Sequence, residues 1–283
     1  MKLCRAGAPG KERPAVVTPD GVFDVARFGD DFGGRFFGGD GLERLRAFVT
    51  SDLSSCPRVP DGERLGPCIR RPIKIVCVGR NYRAHAAETG ADLPSEPLLF
   101  MKATTAFAGP YDDLVLPRGA TQADWEVELA VVVGKEARHV SKERALEHVA
   151  GFALMNDYTE RSFQRDRGGQ WTKGKSADGF APLGPYLVTP DELDHAAVTL
   201  SLSVNGVRRQ HASTASMIFD VPTLVAYVSE FMTLCPGDVL STGTPEGVGF
   251  GQKPPIFLRA GDVVEYEGTG LGRARQVVRA FSA

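Results

Sequence analysis

From Val198 to Val204 apolar and polar residues alternate, and the run ends at Asn205-Gly206 before Val207–His211 returns. Alternation with period two belongs to a strand with one buried face, and Asn-Gly readily takes the positive φ angles of a two-residue turn. The pattern predicts a β-hairpin with arms Val198–Val204 and Val207–His211. Ala15-Val16-Val17 and Val22–Val25 read as a second pair of strands across the turn sequence Thr18-Pro19-Asp20-Gly21. Further strands are expected at Lys74–Val78, Glu126–Val133 and Asp238–Ser241, with two more between Asp262 and Ala280, and Phe152–Met155 forms another apolar segment. Helical spacing is confined to Gly41–Val49, a stretch capped by Ser141 and running to about Val149, and a helix after Asp220 with Leu224, Tyr227, Val228 and Phe231 on one face. Strands outnumber helices and no regular βαβ alternation appears, which disfavours a doubly wound sheet and predicts a β-rich α+β fold.

Residues Pro57–Pro72 contain four prolines, two glycines and several charges, the composition of a boundary. The expected organisation is a small N-terminal domain at 1–66, a linker at 67–72 and a main domain at 73–283. A chain of 283 residues can bury a substantial core, and 42% hydrophobic with 24% charged residues is ordinary for a globular protein. The net charge of -2 argues against nucleic acid as the main partner, since phosphate neutralisation needs a concentrated basic surface. No apolar run approaches the roughly 20 residues that span a bilayer, and Met1–Lys11 lacks the apolar core of a secretory signal. A cytoplasmic protein without a membrane partner is expected. The five cysteines form no CxxC pair, which suits neither a disulfide framework nor a thiolate zinc site; Cys77, inside Ile75-Val76-Cys77-Val78, reads as a small core residue.

Glu126 and Glu128 are two residues apart on a predicted strand, so both carboxylates share one face. Spacing alone leaves two readings open, a solvated face or a cation between the two charges. Asp157 adds weight to the second, because it closes the apolar run Gly151–Met155 just after Asn156, and strand ends are where functional groups tend to sit. Three carboxylates without a Cys or His at ligand spacing would form an all-oxygen site suited to Mg²⁺ or Mn²⁺, with Ca²⁺ also open, rather than zinc. His85 and Glu88, three residues apart, would be neighbours on a helical turn, either as an exposed pair or as an imidazole oriented by a carboxylate to activate water.

Gly169–Ser176 matches the phosphate-binding pattern G-x-x-x-x-G-K-[ST]. Its surroundings oppose that function: Arg161–Arg167 is not an apolar strand, and Ala177–Pro182 carries Gly and Pro where a helix should follow. Lys175 near three carboxylates could instead receive a developing oxyanion or a substrate carboxylate. The loop Thr242–Gly249 offers small residues and the Thr244 hydroxyl to a ligand, and Tyr82–Pro94, beside the candidate base, reads as a lid.

Taken in order, Val78–Glu88, Phe100-Met101-Lys102, Trp125–Leu129, Asn156-Asp157, Gly174-Lys175-Ser176, Ser216–Phe219 and Thr242–Gly249 resemble the fumarylacetoacetate hydrolase family from about Ile73 to the C-terminus. Gly168–Asp178 looks most like its bacterial branch of 2,4-diketo-3-deoxy-L-fuconate and L-rhamnonate hydrolases, whose relatives are sometimes labelled ureidoglycolate lyase. The resemblance implies a mixed β-roll main domain with a small N-terminal domain, a homodimer, and Mg²⁺ or Mn²⁺ bound by Glu126, Glu128 and Asp157. It also implies that His85 and Glu88 activate water, that Lys175 stabilises an oxyanion, and that Gln164 and Thr244 contact substrate. Some relatives add a fourth carboxylate where this chain has Val78, a departure that suits a three-carboxylate magnesium site. The implied reaction is hydrolysis of the C3–C4 bond of a small 2,4-dioxo acid to pyruvate and a carboxylic acid. Decarboxylation of an oxaloacetate-type 2-oxo acid or isomerisation of a muconate-type diene on the same centre are alternatives. A nucleotide-binding protein through Gly169–Ser176, or a silent binding protein, are readings from other classes.

Overall fold

The computed structural model describes residues 1–88, 90 and 92–282. Seven consecutive residues, Val127–Val133, are buried, and the strand they form lies well inside a ten-stranded sheet. Val149–Asn156 pairs antiparallel with it on one side and Val239–Ser241 on the other; Ile75–Gly79 runs parallel to Val239–Ser241, and Leu98–Lys102 forms the edge. Beyond Val149–Asn156 come Ala181–Val188 and then Lys2–Ala6, which joins the N-terminal hairpin Arg13–Thr18/Gly21–Asp24 to the same sheet. The 57–72 segment forms no helix or long strand, yet Cys68 and Ile69 are fully buried and Arg70 donates its backbone N–H to Phe32. Burial on both faces explains why the central strands read as near-continuous Val, Ile and Leu runs rather than alternating ones. Among the described residues no helix is long and apolar enough to cross a membrane.

A second sheet of five strands carries the predicted hairpin, Thr199–Val204 and Val207–Ser213, followed in space by Val263–Gly268, Gly272–Arg279 and the short Leu114–Val115. Asn205 and Gly206 have φ of 51° and 76°, the conformation their sequence anticipates. The pairing slips by one residue between Leu202 and Ser203, so Arg208 and Gln210 face successive partners and Arg209 is the bulged residue. Inward residues of both sheets, Leu129 and Leu154 from one and Leu202 and Tyr266 from the other, belong to a single hydrophobic core.

Two local expectations need correction. Ser141 makes no side-chain cap, and Lys142–His148 is a 3₁₀ segment rather than an α-helix. Only Ala145 in it is buried while Leu146 is exposed, so no apolar stripe holds it in α geometry. The helix Val221–Phe231 starts as expected, with Asp220 accepting from the Thr223 N–H, but it buries Val221, Leu224, Val225 and Val228. Phe231 is exposed and packs edge-on against Tyr227 instead of entering the core.

Candidate active site

Register assembles the site. Val127 stands opposite Asn156 and Glu128 opposite Met155, and the Asp157 N–H donates to the Glu126 carbonyl at 2.8 Å. Residues directly opposite across an antiparallel pair share a face, so Glu126, Glu128 and Asp157 are brought together by strand geometry alone. Carboxylate oxygens of the three lie within 4.8 Å of one another. The relative exposures of Glu126, Glu128 and Asp157 are 4%, 1% and 0%, which removes the solvated-face alternative. Burying carboxylates costs several kcal/mol each unless charges and donors compensate.

The compensation is visible. Lys175 Nζ lies 2.5 Å from Glu126 Oε2 and 2.7 Å from Asp157 Oδ2. Lys102 Nζ lies 2.5 Å from Asp157 Oδ1 and donates to the Tyr158 carbonyl at 3.0 Å. Arg161 forks between Glu126, at 2.6 Å, and the buried Asp124, at 2.7 Å. Glu128 has no ion-pair partner among the described residues; its Oε2 accepts from the Ser241 hydroxyl at 2.5 Å and the Gly243 N–H at 3.0 Å. The two glutamates therefore diverge. Burial would raise the Glu126 carboxyl, but Lys175 and Arg161 outweigh it and hold the group well below the usual range. Burial, reinforced by Asp157 and Glu126, pushes Glu128 well above it. Lys175 is pushed up to about 12: burial works against its charge, and Asp157 and Glu126 more than offset that.

The oxygen-only donor set and its mutual spacing fit a divalent cation that takes carboxylate and water ligands, and the surplus negative charge around Glu128 is what such an ion would relieve. The cluster opens into a cavity of about 200 Å³ whose walls include His85, Glu126, Glu128, Gln164, Lys175 and Thr244. Asp157 closes the cluster behind Lys175. A volume below the 300 Å³ or so of a drug-sized pocket suits an acid of a few carbons.

His85 and Glu88 lie on the single-turn helix Arg83–Glu88, with Nδ1 3.5 Å from Glu88 Oε2. Glu88 is anchored at its other side, where both oxygens accept from the Gly247 N–H at 3.0 and 3.1 Å. Gly247, at φ +99°, has no room for a side chain: a Cβ would sit 1.9 Å from the Arg209 carbonyl. Of the predicted lid 82–94, Thr89 and Ala91 lie outside the described residues.

Gln164 accepts from Arg161 Nη1 at 3.3 Å through Oε1, which leaves its amide N–H groups to donate into the cavity. The Thr244 hydroxyl donates to the Val127 carbonyl at 2.9 Å and accepts from Gln210 Nε2 at 2.8 Å. Its proton is thus committed to the sheet, and Thr244 offers the cavity a wall and a remaining lone pair. Gln210, buried beyond the hairpin bulge, also accepts from the Val127 N–H and donates to the Pro245 carbonyl, tying the second sheet to the carboxylate strand. Gly169–Ser176 is not a phosphate loop: it folds as turns and the short helix Thr172–Lys175, and Lys175 turns inward to the carboxylates.

Lys102, Asp124, Arg161, Gln210 and Ser241 were not singled out from the sequence as site residues. Lys102 carried a signal, a charge ending the apolar run Leu98–Met101. The others sit in ordinary polar contexts, and only the fold reveals their partners.

Residues 74–279 match the family described as fumarylacetoacetate (FAA) hydrolase C-terminal. Over 281 residues the chain is 46% identical to a 2,4-didehydro-3-deoxy-L-rhamnonate hydrolase of Sphingomonas sp. (strain SKA58), covering 98% of this chain and 96% of that one. The maleylpyruvate hydrolase of Sphingobium sp. SYK-6, solved in complex with manganese(II) and pyruvate, superposes with a TM-score of 0.83 at 31% identity over the whole of both chains. A 5-carboxymethyl-2-hydroxymuconate delta-isomerase of Mycobacterium smegmatis superposes with a TM-score of 0.78 at 33% identity, over 99% of this chain and 100% of that one.

Proposed function

Since the chain belongs to the fumarylacetoacetate hydrolase family, we propose that it hydrolyses the C3–C4 bond of a small 2,4-dioxo acid, releasing pyruvate and a carboxylic acid. The observation that carries this reading is the buried cluster Glu126, Glu128 and Asp157, whose two glutamates line the same small cavity as His85 and Lys175. The cluster would hold Mg²⁺ or Mn²⁺, which supplies Lewis acidity toward the 1-carboxylate and 2-oxo oxygens of the substrate. His85, oriented by Glu88, takes a proton from water, and the hydroxide oxygen bonds to C4. Lys175 has three N–H donors and spends two on Glu126 and Asp157; the third is directed to the oxyanion that forms at C4. As the C3–C4 bond breaks, its electron pair leaves with C3, which takes up a proton to become the methyl group of pyruvate, while C4 becomes the new carboxyl carbon.

The isomerase among the structural neighbours keeps a second reading in play, bond migration without an attacking water. Product analysis separates them. With acetylpyruvate and Mg²⁺ or Mn²⁺, hydrolysis gives pyruvate and acetate in equal amounts. Isomerisation of a muconate-type diene, or turnover of oxaloacetate to pyruvate and CO₂, with acetylpyruvate left intact, would overturn the hydrolase reading.

A further inference from the structure

Asp124 is a fourth carboxylate buried beside the cluster, two residues before Glu126 and fully shielded from solvent, and nothing in the proposed reaction uses it. Its oxygens are saturated by protein donors. Oδ1 accepts from the Trp125 and Gly249 N–H groups at 2.8 and 2.6 Å, and Oδ2 accepts from the Phe250 N–H at 3.0 Å and from Arg161 Nε at 2.8 Å. A carboxylate offers about four lone-pair positions, so none is left for an ion, and Asp124 stands outside the cation-binding set. What it holds is Arg161. The same guanidinium reaches Glu126 Oε1 through Nη2, while Glu126 Oε2 accepts from Lys175. Both oxygens of one expected cation ligand therefore face protein cations, and an ion has to share them.

A buried guanidinium needs a counter-charge, and Arg161 has two carboxylates to lean on. With Asp124 taking Nε and sharing Nη2, Glu126 meets a cation that is already partly neutralised. Without Asp124, Glu126 would be the sole carboxylate on Arg161 and would be drawn toward it, away from an ion. The backbone donors fix where Asp124 holds the guanidinium. Gly249 packs so closely that a Cβ there would lie 2.8 Å from Asp124 Oδ1 and 2.0 Å from the Ile256 carbonyl, which keeps the loop pressed onto the carboxylate. We propose that Asp124 is a positioning residue of the cation site, which neutralises Arg161 from behind and so leaves Glu126 available to the ion. This rests on the reading of Glu126, Glu128 and Asp157 as ligands, and adds the residue that sets the strength of the first of them.

Mn²⁺ affinity in a double-mutant cycle tests this relay, by calorimetry on the full-length metal-free protein and without any turnover. Asp124→Asn is expected to weaken binding at least about tenfold, because the amide turns N–H groups toward Arg161 or Phe250 and Arg161 then leans on Glu126 alone. In an Arg161→Gln background the same substitution is expected to change the affinity less than about threefold, since the guanidinium that carries the effect is gone. Unchanged affinity in Asp124→Asn, or an equal loss in both backgrounds, overturns the proposal: the first makes Asp124 a prop for the loop, the second a charge acting through space. Should Asp124→Asn fail to fold, Arg161→Gln carries the test alone. Binding at least as tight as in the wild type is then expected, because Glu126 loses a competitor for the ion, and weaker binding contradicts the relay. A wild type that binds no Mn²⁺ removes the cation reading itself and this inference with it, a result distinct from all the others.

Discussion

Glu128→Gln is expected to weaken divalent-cation binding at least about a hundredfold and to remove turnover with it, while leaving the metal-free fold as stable as the wild type or more so. The amide keeps the shape of the side chain and an oxygen to accept from Ser241 and Gly243. It removes a charge that is buried beside Glu126 and Asp157 with no cation of its own among the described residues. In the metal-free protein that charge is a cost; with an ion bound it would be a ligand. Isothermal titration with Mn²⁺ and urea unfolding with and without the ion separate the two effects. A variant that loses stability but binds Mn²⁺ like the wild type would mean that Glu128 serves the fold rather than the ion. Neutralising Asp157 would be a poorer test, because Lys102 and Lys175 both lean on it and the chain would be left with buried ammonium groups short of a counter-charge.

His85→Ala is expected to lower kcat by about 10²–10⁴, the contribution of a positioned general base, with little change in KM. His85 is 7% exposed and lines the cavity within 3.5 Å of a carboxylate that is itself fixed by the Gly247 N–H. Glu88→Gln should fall between this variant and the wild type, since the amide still reaches Gly247 but no longer favours the imidazolium that forms on proton transfer. Steady-state kinetics check both. An unchanged kcat in His85→Ala would exclude the dyad from the water-activating role.

The hairpin at Asn205-Gly206, the Asp220-capped helix and the carboxylate strand were legible because each is written in local terms: turn chemistry, a cap and a period. Glu126 and Glu128 were legible as a shared face, but spacing cannot say what covers a face. That depends on Val149–Asn156 and Val239–Ser241 pairing on either side, and on Lys175 and Arg161 folding back over the carboxylates. Gln210 was out of reach for the same reason, since its three partners come from residues more than 30 positions away. The helix face was misread at Phe231 because the apolar spacing Leu224, Tyr227, Val228, Phe231 and the spacing Val221, Leu224, Val225, Val228 overlap, and only packing decides which one turns inward.

Attack by water at C4 has a direct signature. Turnover of acetylpyruvate in H₂¹⁸O with Mg²⁺ or Mn²⁺ should place one ¹⁸O atom in the acetate carboxylate by mass spectrometry, in excess of any exchange seen in acetate and in acetylpyruvate incubated without the protein, and the product should vanish on chelation and in Glu128→Gln. Acetate formed without the label, or labelled acetate formed equally well with the ion removed, would contradict metal-dependent hydrolysis at Glu126, Glu128 and Asp157.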